Sequence, residues 1–462
     1  MDGMDEIQYF KEVILFFKEF QWLYNMPVTK ILCRGSLDSL PADWLEALKD
    51  IDNKDLNDFV TEFKTQEKWP RSLLNFVESC RSFHKLPTSN ISLSSISLPE
   101  LFLKKLSLKK QHEIFYLARL VHEKCQQQEI SFVVDLGCGL GYICQLLNHL
   151  YGYQVLGLES NVKNVEAAKV RQKNIFPDSL SAVKYVCCTI SKDSSECIEF
   201  IVNREFGEIE SMCLIGLHAC SDLSVHMSNI YLEMEKAKLL VLISCCYHKL
   251  SLKQVDLECS DKEYFNYFPL SKTLENTVKI LNVDVGEFLR RPFMRLACQE
   301  TSDRWLGLSK KAHNEHSFHV LARAVLELYA VENDLQIKKL VRKATRKSQC
   351  IDFETYLKDC MQRYTFEKQK DCDVHMTHSV PWDDRTKNSL IILWKNNLEK
   401  QESIEVYTGL QLLLQHAAES LVLFDRLHYL REHNFEADIV PTMNGSLSPR
   451  CYAIISNKKR KL

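Results

Sequence analysis

No charge of either sign dominates this chain: 59 lysines and arginines stand against 61 aspartates and glutamates, a formal net charge of -2. That balance gives no global pull toward nucleic acid or membrane, so any such partner must be held by a local patch. Nor does any apolar run approach the roughly 18–20 residues a membrane span needs. The longest, Ala237 to Cys246, is interrupted by Lys238 and Ser244 and reads as a buried strand. The opening MDGMDEIQYFKEV lacks a basic segment followed by an apolar one, so no secretory signal is expected. The 18 cysteines are therefore expected to be reduced, in an intracellular protein of the cytoplasm, the nucleus or both. Cysteine pairs with zinc-finger spacing are missing too, and no metal is expected. Cys187, Cys188, Cys245 and Cys246 lie in strand-like runs, where a thiol packs as a small hydrophobe. No internal repeat is evident.

What is present is a chain of 462 residues, 45% hydrophobic, able to bury a large core and long enough for two or three domains. Apolar positions such as Phe10, Val13, Ile14 and Phe17 recur at helical spacing, predicting a helical N-terminal region over 1–86. The serine- and proline-containing stretch that follows, 87–108, reads as a linker. From 109 an amphipathic helix carries Ile114, Leu117, Leu120 and Val121 on one side. Short apolar runs then alternate with helical stretches: 132–136, 154–159, 183–188, 212–217 and 239–244. Such interleaving implies a parallel sheet covered on both faces, an α/β core over 109–250. The strand rhythm stops after Tyr247, predicting a mainly helical insertion over 251–402. A closing region, 403–462, reads as a long helix, two β-like runs forming an antiparallel hairpin, and a basic tail.

Glycine is scarce, 13 in all, yet Gly137, Gly139 and Gly141 fall within five residues, directly after a strand and before an apolar-periodic helix. Glycines there let the backbone turn sharply and let a ligand approach the main chain, while the helix start offers free N–H groups. Asp135 ends the first strand, and Glu159 ends the second, where a carboxylate can accept hydrogen bonds from ribose hydroxyls. Dinucleotide enzymes share that placement, but their loops usually read Gly-x-Gly-x-x-Gly without a preceding acid. The segment 133–141, Val-Val-Asp-Leu-Gly-Cys-Gly-Leu-Gly, instead resembles the first motif of class I methyltransferases.

Two further segments sharpen the likeness: Gly216-Leu217-His218-Ala219-Cys220-Ser221-Asp222-Leu223-Ser224, and Ser244-Cys245-Cys246-Tyr247-His248-Lys249-Leu250-Ser251. With Leu447-Ser448-Pro449-Arg450 in the final hairpin, they resemble the methyltransferase-like 25 family, including its branch named for a ribosomal RNA adenine dimethylase domain. The likeness extends from about residue 1 to the end. More distantly, the two strand-end segments are similar to tRNA ribose 2'-O-methyltransferases with His-Leu-Cys-Gly and Cys-Cys-x-His motifs. The resemblance implies a class I Rossmann-like fold, S-adenosyl-L-methionine as cofactor, and an RNA or protein acceptor, with RNA ahead. Asp135, Gly137, Cys138, Gly139, Gly141 and Glu159 become the expected cofactor-binding residues. Ser221 replaces the family's usual glycine, which leads one to expect a different backbone in that loop. Adenine N6 methyltransferases carry Asn/Asp-Pro-Pro-Tyr/Phe after the fourth strand; Gly-Leu-His-Ala-Cys here argues against literal adenine dimethylation. At the end of the third strand, Val186-Cys187-Cys188-Thr189 offers no carboxylate for an adenine amino group, so that contact stays unassigned.

Ligands of open α/β sheets lie beyond the carboxyl ends of the strands, so the two later segments should converge on the cofactor. Methyl transfer from a sulfonium requires alignment of acceptor and methyl, exclusion of water and, for some acceptors, removal of a proton. His218, Asp222 and His248 are the catalytic candidates, and Cys220, Cys246 and Tyr247 the substrate-side ones. A plainer reading has the two histidines bonding loop carbonyls. Outside the core, Lys338–Lys347 and Arg290–Arg295 are basic runs that either neutralise RNA phosphates or form solvated faces. The tail Lys458–Lys461 is a nuclear-import or phosphate-binding patch, or simply a solvated end. His313, His316 and His319, like His375 and His378, recur every three residues without cysteine partners. The rival to an active methyltransferase is a non-catalytic scaffold keeping the same fold.

Overall fold

The computed structural model describes residues 3–33, 35–49, 51–88, 98–104, 106–254, 261–298, 301–341, 345, 350–368 and 379–458. Ten strands are found among them: β1 (Phe132–Leu136), β2 (Gln154–Glu159), β3 (Val183–Cys187), β4 (Met212–Cys220), β5 (Ala237–Cys245), β6 (Leu335–Lys339), β7 (Tyr364–Lys368), β8 (Ser379–Val380), β9 (Glu436–Pro441) and β10 (Tyr452–Asn457). Contacts divide the chain into two units. One comprises Met1–Leu15, Phe83–Arg304 and Gln415–Leu462, the other Phe16–Ser82 and Trp305–Leu414.

The first unit is built on a seven-stranded sheet in the order β3-β2-β1-β4-β5-β10-β9. β1 to β5 run parallel, β10 pairs antiparallel with β5, and β9 antiparallel with β10. All five residues of β1 are buried, as a strand covered on both faces must be. Helices Tyr142–Tyr151, Val162–Ile175, Ser195–Phe206 and Leu223–Glu233 make the crossovers between parallel strands. The order reverses between β1 and β4, which opens a crevice at their carboxyl ends. The sequence-read strands coincide with β1 and β2, whereas β4 runs on through His218, Ala219 and Cys220. The helix read from 109 spans Leu108–Gln127, and the closing hairpin forms as β9 and β10.

The second unit packs around an aromatic cluster, Phe16, Phe20, Trp44 and Phe76, with Phe20 and Phe76 centroids 4.8 Å apart. It also holds an antiparallel sheet, β6-β7-β8, inside the stretch read as mainly helical. β6 and β7 are only five residues each and follow directly on helix formers, so their period-two pattern is too short to stand out. The basic run from Lys338 starts in β6, where Lys338 pairs with Glu367 at 2.8 Å; 342–344 and 346–349 lie outside the described residues. So do 89–97 of the linker stretch, although Phe102 within that stretch is buried against Tyr142 and Phe176. Among the described residues no helix is long and apolar enough to cross a membrane.

Candidate functional site

The loop after β1 is shaped by its glycines. Gly137, Gly139 and Gly141 all adopt positive φ, 82°, 56° and 66°, a region that side-chain-bearing residues enter only against a steric cost. The N–H groups of Gly137 and Cys138 donate to the Leu158 carbonyl at 2.8 and 3.0 Å, pinning the loop to β2. Glu159 completes the anchor. Its Oε2 accepts from the Gly139 N–H and its Oε1 from the Asn161 N–H, both at 2.9 Å. Each oxygen keeps a second lone pair, so the carboxylate can still accept from a ligand. The surroundings of the glycines differ. A Cβ on Gly139 would meet nothing within 4 Å, whereas one on Gly141 would collide with the Tyr185 ring, whose hydroxyl donates to the Gly141 carbonyl at 3.1 Å. Gly139 thus faces open space, at the start of the helix Tyr142–Tyr151, whose first N–H groups lack intrahelical acceptors.

Asp135 lies beneath this loop, 3% exposed, and accepts the Cys144 thiol at 3.3 Å. Burial pushes its carboxyl up to about 6, against the opposing effects of the Cys144 thiol and the Lys110 charge.

Across the switch point, β4 and β5 end in strained backbone. His218, Ser221 and Cys246 sit at φ 60°, 57° and 50°, and the β4–β5 register slips between Leu217 and Ala219. Left-handed backbone costs a non-glycine residue roughly 1–2 kcal/mol and persists where surroundings over-determine it. Ser221 therefore holds a conformation that glycine favours, and its hydroxyl, donating to the Lys249 carbonyl, helps fix it. Asp222 Oδ1 accepts the Ser251 N–H at 3.0 Å. These two bonds join the β4 and β5 loops. Leu223 Cδ2 lies 3.1 Å from where a Gly137 Cβ would be, so the glycine loop adjoins them.

His218 projects to Glu113, its Nε2 2.9 Å from Glu113 Oε2. Glu113 sits on the Leu108–Gln127 helix, 2% exposed, and its other oxygen accepts the Ser448 hydroxyl at 2.8 Å. Burial would raise its carboxyl, but the bonds from His218 and Ser448 and the Lys109 charge hold it below the usual range. An ionised Glu113 only accepts, so Nε2 carries the proton and Nδ1 of a neutral His218 the lone pair. Glu113 was not among the sequence candidates. Its signal was a carboxylate four residues before Leu117, on the apolar side of an amphipathic helix, where an acid needs a partner.

His248 Nδ1 meets Cys298 Sγ at 3.0 Å, its carbonyl accepts from Arg291 at 3.0 Å, and burial with the charges of Arg295, Lys249 and Arg291 lowers its pKa. Arg291 also pairs with Glu263, so the basic run it belongs to is partly committed to this loop. Cys220 Sγ lies 2.9 Å from Cys245 Sγ. Its hydrogen bond with Cys245, together with that from Cys246 and the Lys249 charge, pulls the Cys220 thiol down to about 6 against the effect of burial. Tyr247 is a correction. It is 1% exposed, its ring under the Arg426 guanidinium at 5.1 Å, which leaves no surface for an acceptor. Lys458 is likewise no free tail cation: its ammonium donates to Leu232 and Met234 carbonyls, and burial lowers it to about 8. The rest of the tail, 459–462, lies outside the described residues, as do His375 and His378. His313 is fully buried, bonded to Asn57 at 2.8 Å.

Residues 109–253 match the family model described as a methyltransferase domain. That part of the chain is therefore similar to a methyltransferase domain. Its sheet order, parallel through β5 and closed by the antiparallel β9–β10 pair, is a class I Rossmann-like methyltransferase fold. "Probable methyltransferase-like protein 25" of Mus musculus is 22% identical over 310 residues, 66% of this chain and 45% of that protein. The Homo sapiens protein of the same name is 23% identical over 311 residues, 65% and 45% of the two chains. The matched stretch thus spans less than half the length of either relative. Among solved structures, the methyltransferase domain of bacterial CtHen1-CN matches at 16% identity and TM-score 0.23, over 28% of this chain and 65% of that one.

Proposed function

We propose that the chain is an S-adenosyl-L-methionine-dependent methyltransferase that modifies RNA. The observation that carries the cofactor reading is the open space in front of Gly139, in a loop otherwise fixed on every side by Leu158, Glu159 and Tyr185. Asp135, Gly137, Cys138, Gly139 and Gly141 form the cradle in this reading, and Glu159 takes the ribose hydroxyls with its remaining lone pairs. When bound, S-adenosyl-L-methionine supplies an electrophilic methyl group on sulfur. The chain's own residues align the acceptor and exclude water. His218 is the base that receives the acceptor's proton, at Nδ1, with Glu113 and Ser448 setting the ring's tautomer and direction. Asp222 and His248 hold the two loops in register, and Cys220 and Cys246 border the acceptor. RNA is favoured over protein by the His-Ala-Cys and Cys-Cys-Tyr-His segments at the strand ends.

The test incubates the purified chain with S-adenosyl-L-methionine labelled in the methyl group, together with separated total RNA and total protein. Label in RNA, reduced at least about a hundredfold by His218→Ala in line with the usual contribution of a general base, is the expected result. Label confined to protein overturns the acceptor. Label in neither fraction, from a chain that binds the cofactor, favours the scaffold.

A further inference from the structure

Three thiols meet at the carboxyl ends of β4 and β5. Cys220 and Cys245 are partners in the strand register, so their side chains share a face of the sheet. Successive residues of a strand point to opposite faces, which would send Cys246 away from this pair. Its backbone instead turns left-handed, φ 50°, and the sulfurs of Cys220, Cys245 and Cys246 all come within 4.8 Å of one another. A residue with a Cβ takes that conformation only against steric resistance, and here the turn adds a third sulfur to two. Cys245 is buried while Cys220 and Cys246 are half-buried, so the cluster is reachable from the strand-end face.

We infer that Cys220, Cys245 and Cys246 form a binding site for a thiophilic d10 cation, with zinc as the divalent case. Sulfur donors select such ions over magnesium or calcium, which prefer oxygen. With metal–sulfur distances of about 2.3 Å, a tetrahedral site sets its sulfurs roughly 3.8 Å apart. The 2.9 Å between the Cys220 and Cys245 sulfurs must widen to reach that spacing. Binding replaces whichever sulfur-bound protons remain with metal–sulfur bonds and releases those protons to solvent. The fourth position stays open for water or a further donor. A Cys220–Cys245 disulfide is the competing chemistry. It requires an external oxidant and uses two sulfurs, so it gives no reason for the turn at Cys246. The observations behind the site are the sulfur positions alone, although Cys220 and Cys246 are also the residues that border the acceptor in the methyl-transfer reading. The site also departs from the expectation that the chain holds no metal, because residues 25 apart in sequence do not show zinc-finger spacing.

The full chain, reduced with a phosphine and stripped with a chelator, is titrated with Cd2+ as a spectroscopic probe and with Zn2+ as competitor. The expected result is thiolate-to-cadmium absorption saturating at one ion per chain, displaced by zinc. Cys220→Ser and Cys246→Ser should each weaken it at least about tenfold, while Cys197→Ser, at an exposed cysteine of the Ser195–Phe206 helix, should not. Cys246→Ser is the informative variant should a change at buried Cys245 prevent folding, and circular dichroism verifies each fold. Absorption that survives in both cluster variants overturns the proposal. So does a folded, reduced chain that binds neither ion, and peptide mapping that then finds Cys220 linked to Cys245 without reductant assigns a redox pair instead.

Discussion

Gly139 and Gly141 lie two residues apart in one loop, yet a methyl group at each meets opposite surroundings. At Gly139 only the left-handed backbone resists, so Gly139→Ala is expected to cost about 1–2 kcal/mol. At Gly141 the same strain is joined by collision with Tyr185 and loss of its bond to the Gly141 carbonyl, and Gly141→Ala should cost about 3 kcal/mol or more. Denaturant midpoints of the two variants measure the difference, and equal midpoints contradict the packing described. At this scale the sequence was informative where a residue type is forced by backbone geometry, as at the three glycines. It said nothing of Tyr185, because a tyrosine in a strand is ordinary until the fold brings its ring over Gly141. The turned backbones of His218, Ser221 and Cys246 were equally hidden, since nothing in their side chains demands a positive φ.

Elements of the first unit are also joined by a buried ion pair. Arg450, in the β9–β10 loop, donates to Glu419 of the helix Gln401–Arg431 and, at 3.1 Å, to the Ala297 carbonyl that ends the helix Arg291–Ala297. Both side chains are nearly inaccessible, 5% and 2% exposed, so neither charge can be left without the other. Arg450→Met alone should destabilise by about 3–5 kcal/mol, because Glu419 is left buried and uncompensated. The double variant Arg450→Met, Glu419→Leu should recover most of that loss. A double variant as unstable as the single one contradicts the reading of the pair as a desolvated ion pair, and thermal unfolding of the three proteins decides it. The sequence made Arg450 conspicuous only within Leu-Ser-Pro-Arg, and Glu419 only as one acid in a long helix. β1 and β2 were legible because burial on both faces makes their sequences continuously apolar. β6 and β7 were not, being short and interrupted by charge, and they pair with each other in antiparallel register.

The whole molecule brings together what the chain separates. Residues 16–82 and 305–414 form one unit, joined by bonds such as the Asn57 side chain to the Leu308 carbonyl at 2.9 Å, a pairing that no local pattern announces. In the other unit the sheet order places the glycine loop, the β4 and β5 ends and the β9–β10 loop around one edge, although Glu113 and Ser448 are 335 residues apart. Periodicity could find the strands but not which long-range partners would orient His218. The central claim is that this edge holds S-adenosyl-L-methionine, and calorimetric titration with S-adenosylhomocysteine tests it most directly. Saturable binding is predicted for the full chain, weakened at least about tenfold, or 1.4 kcal/mol, both in Gly139→Trp, which fills the open space, and in Glu159→Ala, which removes the anchoring carboxylate. Absence of binding by the folded chain, or undiminished binding by folded Gly139→Trp, would contradict it.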